Sequence, residues 1–138
     1  MDVKWTSEHS VNVVEIDEQH RFFIELINLM REAVEHRDPD PDPVLDKALA
    51  LLTSYASFHF DSEEKLVKKC DYSGFDKLHS EHTDLLKRLD DLVKQKQSAP
   101  DVYDFYNSVL DFMADWLNQH LLVEDKQFSA CLNEHGIH

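Results

Sequence analysis

Glycine occurs twice in this chain and proline four times, with three of the prolines inside six residues. A sheet protein needs many tight turns and the glycine that makes them, so this scarcity points to helices. Cysteine is also rare: Cys70 and Cys131 stand alone, with no Cys-x-x-Cys pair. Two such residues are too few for a disulfide scaffold or a thiolate zinc site, and the expectation is two free thiols in a reducing cytoplasm. Basic residues are in deficit, 14 Lys and Arg against 28 Asp and Glu, for a net charge of −14. That balance excludes a nucleic-acid face and disfavours an anionic membrane surface. No apolar run approaches membrane-spanning length, and Met1–Trp5 lacks the apolar core of a signal peptide.

Set against these shortages are 42% hydrophobic residues and nine histidines in 138 residues. The length predicts one domain, 1–138. Residues 1–16 read as an irregular arm anchored by Trp5, 17–132 as a helical bundle and 133–138 as a frayed tail. Apolar residues recur at steps of three and four from His20 through Phe23, Ile24, Ile27, Met30 and Val34, so a first helix runs from an Asp17 cap to about Arg37. Asp38–Pro43 breaks it, with Asp42 as cap and Pro43 as first residue of the next helix. That second helix carries Leu45, Leu49, Leu52, Ala56, His59, Phe60, Glu63 and Val67 on one stripe and ends near Cys70. A third runs from Phe75 to about Gln97, and a fourth starts near Asp101, with a short segment from Asp125 to Leu132. Four helices of similar length joined by short loops give an all-α, antiparallel up-down-up-down four-helix bundle.

Within those stripes lie residues that a plain core does not need. His59 and Glu63 are four apart, about one helical turn, so they share the buried face. A buried carboxylate beside a buried imidazole is costly without a partner. The other helices supply candidates: His20 on the first, His82 with His79 nearby on the third, and His120 followed by Asp125 on the fourth. In an antiparallel bundle all of these fall at the same end. Nitrogen and oxygen donors without thiolate suit iron, manganese or zinc, and their number suits two ions bridged by carboxylates. One spacing makes a further demand. Five residues on a regular helix turn about 140° off the starting face, so His120 and Asp125 can share a site only across a break or bulge, whereas Glu124 would fit a regular helix better.

The ordered set Ile16-Asp17-Glu18-Gln19-His20, His59-Phe60-x-x-Glu63-Glu64, Tyr72 with Glu81-His82, and Trp116-Leu117-x-x-His120-x4-Asp125 resembles the hemerythrins, in particular the bacterial single-domain hemerythrins. The resemblance implies a non-haem di-iron centre with a bridging oxo or hydroxo group. One iron would be held by His20 and His59 with an open position for dioxygen. The other would be held by His82, His120 and one further histidine, with Glu63 and Asp125 bridging. It also implies a dry pocket, for which Phe23, Phe60, Trp116, Leu121 and Leu122 are candidates. The implied function is reversible dioxygen binding, as carrier, store or sensor, rather than enzymatic turnover; dioxygen is then the only partner named.

The third helix departs from the family pattern. A histidine is expected four residues before His82, and Leu78 stands there. Two outcomes are open: His79 swings in as the missing ligand, or Leu78 fills the space and the second iron lacks a protein donor. The second outcome would favour a di-iron oxidase, peroxidase or NO-handling enzyme. Glu124, His9, His135 and His138 read as solvated, and His36 as a favourable partner of a helix C-terminus.

Overall fold

The computed structural model describes residues 4–36, 42–99 and 101–138, with the side chains of Asp42 and Glu124 excepted. The expected helix end at Arg37, most of the Asp38–Pro43 break, Pro100 and the reading of Glu124 fall outside that set. Five α-helices follow one another: α1 (Val14–His36), α2 (Asp42–Lys69), α3 (Phe75–Lys94), α4 (Val102–Gln119) and α5 (Lys126–Glu134). Among the described residues there is no strand, and no helix is long and apolar enough to cross a membrane. Helix α1 packs on α2 and α4, and α3 packs on α2 and α4, which closes the expected four-helix ring. Helix α5 lies across the end where α2 finishes.

Apolar spacing sets the helix faces, and at the start of α4 a polar side chain sets the end. Asp101 caps α4 by accepting from the Tyr103 amide at 2.8 Å. The interior forms two apolar clusters. The larger runs through the bundle from Leu45 and Phe105 to Phe23, Phe60 and Leu121. The smaller gathers Val11, Val13, Ile16, Leu66, Val67, Leu78, Phe128 and Leu132 beneath the end closed by α5.

Four expectations are corrected here. Asp17 is not a cap, because α1 already begins at Val14. Its carboxylate instead accepts from the Val11 amide at 2.9 Å and the Ser10 hydroxyl at 2.6 Å, which fastens the arm to the helix. His9 is not solvated. It is buried beside Trp5, with its Nδ1 accepting from the Thr6 amide at 2.9 Å. Leu122 is 41% exposed, one position past the fully buried Leu121, and so faces solvent rather than the interior. The cysteines are not free. Cys70, just beyond α2, and Cys131, on α5, form a disulfide with their Cα atoms 5.8 Å apart. The antiparallel fold brings these positions together from 61 residues apart in sequence, and the free-thiol premise of a reducing compartment goes with that pairing.

Candidate metal centre

Each helix of the ring delivers its donor from a buried position near one end of the bundle. His20, His59, Glu63, His120 and Asp125 are all fully buried, and one ligand atom from each lies within 4.8 Å of every other. The His20 Nε2 is 3.0 Å from that of His59, and the His59 Nε2 is 3.3 Å from that of His120. Glu63 Oε1 stands 2.8 Å from His59, 3.1 Å from His120 and 3.3 Å from His20. Asp125 Oδ2 stands 2.8 Å from both His20 and His120.

Asp125 arrives there through the bulge its spacing requires. The backbone from His120 to Glu124 forms a π-helical turn, closed by the Asp125 amide donating to the His120 carbonyl at 2.9 Å. The wider turn brings a residue five positions on back to the same face, as π-bulges at functional sites do.

His82 sits on the far side of Glu63, its Nε2 3.1 Å from Oε2. Glu63 therefore faces three imidazoles with one oxygen and a fourth with the other. His79 does not join them. It is 61% exposed on its side chain, and its Nδ1 bonds to Glu64 Oε1. Position 79 lies about 60° around the helix from position 82, and the carboxylate of Glu64 meets it at the rim. Leu78, 4% exposed, packs into the smaller apolar cluster. Of the two outcomes for α3, the structure has Leu78 filling the space.

Two residues that the spacing argument did not single out hold the imidazoles in place. His59 Nδ1 donates to Gln19 Oε1 at 2.7 Å, and Glu64 Oε2 lies 3.3 Å from His82 Nδ1. Each contact leaves the Nε2 lone pair aimed at the cluster, as partners of metal-bound histidines do. Their signal in the sequence was adjacency: Gln19 precedes His20, and Glu64 follows Glu63. Aromatic rings complete the surround. Trp116 stacks on His120 with centroids 4.7 Å apart, Phe60 stacks on His82 at 4.0 Å, and Phe23 meets the edge of His59.

The cluster is poorly satisfied by protein alone. Both Asp125 oxygens, Glu63 Oε2, His82 Nε2 and His20 Nδ1 are buried without a hydrogen-bond partner. Native proteins rarely leave such atoms orphaned. Burial pushes the Asp125 carboxyl up, and the neighbouring Glu63 charge adds to that, to about 7. Burial also pushes Glu63 up, but the imidazoles of His59 and His120 outweigh it and hold it well below the usual carboxylate range. Burial lowers the His59 imidazole, against the pull of Glu63. A divalent cation among the inward-facing Nε2 atoms and carboxylate oxygens would take their lone pairs, offset the two carboxylate charges and keep the imidazoles deprotonated. The donor set, three or four imidazoles with two carboxylates, fits iron and its neighbours.

Comparison with known proteins gives the same answer from another direction. Residues 11–132 match the family model described as the hemerythrin HHE cation binding domain. The chain is 26% identical over 127 residues to a bacteriohemerythrin of Clostridium acetobutylicum, covering 90% of this chain and 96% of the relative. It is 28% identical over 130 residues to the bacteriohemerythrin of Methylococcus capsulatus, covering 94% and 95% respectively. A crystal structure of wild-type hemerythrin superposes with a TM-score of 0.80 at 28% identity, covering 94% of this chain and 97% of that one.

Proposed function

The chain belongs to the hemerythrin family, and from that membership we propose that it binds dioxygen reversibly at non-haem iron held by the buried cluster. The observation that carries this is the set of five fully buried donors gathered within 4.8 Å of one another, with Glu63 Oε2 and the Asp125 oxygens left without hydrogen bonds. His20, His59, His82 and His120, with the carboxylates of Glu63 and Asp125, would hold the iron. Iron supplies the reversible one-electron chemistry that dioxygen needs, and the protein supplies orientation and exclusion of water. Gln19 and Glu64 keep His59 and His82 turned inward. Phe23, Phe60, Leu121 and the stacked face of Trp116 keep the surroundings apolar, which disfavours proton delivery to bound dioxygen.

Anaerobic reconstitution with ferrous iron, followed by cycles of dioxygen and argon, tests the reading. A visible absorption band that rises with dioxygen and falls with its removal is the expected result. Oxidation that does not reverse would contradict it.

A second reading rests on Leu78. With an apolar side chain in place of an imidazole, and His79 held at the rim by Glu64, the iron beside His82 has fewer protein donors than the family pattern gives it. An exchangeable position there suits a di-iron oxidase, peroxidase or NO-handling enzyme. Sustained turnover of peroxide or nitric oxide by the iron-loaded protein would favour that reading over the carrier. A cytoplasmic location, the expectation from sequence, is tested by cell fractionation: recovery with the cytoplasmic fraction supports it, and recovery outside the cytoplasm opposes it.

A further inference from the structure

The two carboxylates of the donor cluster stand on two segments that a disulfide ties together. Glu63 lies seven residues before Cys70 and Asp125 six residues before Cys131. Along α2, seven residues are about two turns, or roughly 10 Å. The Cys70–Cys131 bond joins the far ends of these segments, with the Cα atoms 5.8 Å apart.

Helix α5 depends on such ties. It has nine residues, fewer than the roughly 12–15 at which an isolated helix becomes even marginal. Asp125 occupies its cap position, yet the Asp125 side chain makes no capping bond and stands 2.8 Å from both His20 and His120 instead. The arm holds one side of α5: Ser129 donates to the Val11 carbonyl at 2.6 Å and Asn133 to the Asn12 carbonyl at 3.1 Å. Phe128 and Leu132 pack on the inner side. The disulfide fastens α5 to the end of α2. Its release frees α5, and Asp125 with it, to shift relative to Glu63.

We propose that the Cys70–Cys131 pair is a redox latch on the donor cluster, giving high cation affinity when closed and lower affinity when a dithiol opens it. This rests on the reading of the cluster as a cation centre and adds its regulation. Cys70 is 4% exposed and Cys131 half-buried, so a thiolate of the dithiol attacks Cys131 Sγ. The S–S bond breaks, and Cys70 leaves as a thiolate that takes a proton from solvent. The second thiolate of the dithiol then closes on the sulfur of its own mixed disulfide. Cys131 leaves and is protonated, the dithiol departs as a disulfide, and two electrons have passed to the protein. Linkage makes the coupling reciprocal: the factor the bond adds to cation affinity is the factor the cation adds to the bond's resistance to reduction.

Manganese(II), which prefers oxygen and nitrogen donors to thiolates, provides the test. It is titrated into the metal-free protein in oxidised form, in reduced form and as Cys131→Ser; reduced wild type carries the test if the variant does not fold. Affinity is expected to fall about tenfold in the reduced protein and the variant, the lower end for residues that position ligands. Helix content by circular dichroism should stay unchanged, with faster amide exchange in α5. Thiol alkylation in mixtures of reduced and oxidised dithiothreitol then reads the disulfide directly. Saturating manganese should shift its midpoint by the same factor, about 30 mV for two electrons. Equal affinity in all forms, or an unmoved midpoint, would overturn the latch and leave the metal-centre reading standing. Loss of helix throughout on reduction would also overturn it, since the bond would then staple the whole bundle. No manganese bound by any form would overturn the metal-centre reading, and the latch with it.

Discussion

Two polar clusters of the bundle are held on different terms. At one end the ring of Tyr106 is fully buried, and its hydroxyl donates to Asp46, which also takes Lys96 Nζ at 2.6 Å. Burial raises the Asp46 carboxyl, but the bonds from Lys96 and Tyr106 outweigh it and leave it below the usual range. A donor, an acceptor and a cation satisfy one another there, at the edge of solvent. At the other end two carboxylates and three imidazoles are fully buried, with several atoms orphaned and no Lys or Arg among them. The first cluster closes on itself and is structural. The second is complete only with something added. What distinguishes a ligand site from a structural polar cluster in this fold is the unpaired remainder, more than the number of polar groups.

The comparison can be broken most forcefully by removing cations. Chelation should leave the Tyr106 end intact and destabilise the other, lowering Tm by about 10 °C relative to protein saturated at roughly a thousand times Kd, from linkage and a domain of this size. Calorimetry with and without chelator checks it; an unchanged Tm would mean that the donor cluster is as self-sufficient as the Tyr106 cluster. Next comes Asp125→Asn in the metal-free protein. An Asp125 carboxyl raised in the folded state to about 7 means that the native protein holds a proton that the unfolded chain releases near pH 4. Its contribution is therefore present below the unfolded pKa and is lost as pH rises through about 7. The asparagine variant should flatten that part of the Tm–pH curve while abolishing tight cation binding. A curve of unchanged slope would remove Asp125 as its cause.

Smaller effects sharpen the contrast. Glu64→Ala removes the partner of His82 Nδ1 and should weaken cation binding by about tenfold, the lower end for such residues. His79→Ala, which touches only the far oxygen of Glu64 from solvent, should leave total metal content unchanged. Loss of a bound cation on that substitution would restore His79 as a ligand. Tyr106→Phe should cost about 1 kcal/mol of stability in denaturant melts, the net worth of one hydrogen bond, with no change in metal affinity. A change in affinity would show that the two ends are coupled.

Much of the donor cluster was legible because helix spacing reports faces. His59 and Glu63 had to be neighbours, and the five-residue step from His120 to Asp125 demanded the bulge found at His120–Glu124. The ring of four helices followed from the stripes and breaks. Spacing could not decide His79, because position 79 lies at the edge of the stripe. Its direction was settled by a competing partner, Glu64, on another helix. The Cys70–Cys131 bridge was hidden for a related reason. Each cysteine read singly as a free thiol, and only the placement of α5 across the end of α2 makes them neighbours. Asp17 was taken for a cap because a carboxylate at a helix start satisfies either the helix or the chain before it, and here it satisfies the arm.

The most direct test of the account is a crystal structure of the iron-loaded protein with anomalous diffraction collected at the iron edge. The account predicts anomalous iron signal within the cluster of His20, His59, Glu63, His82, His120 and Asp125, and none beside His79. Iron absent from that cluster, or coordinated by His79, would contradict it.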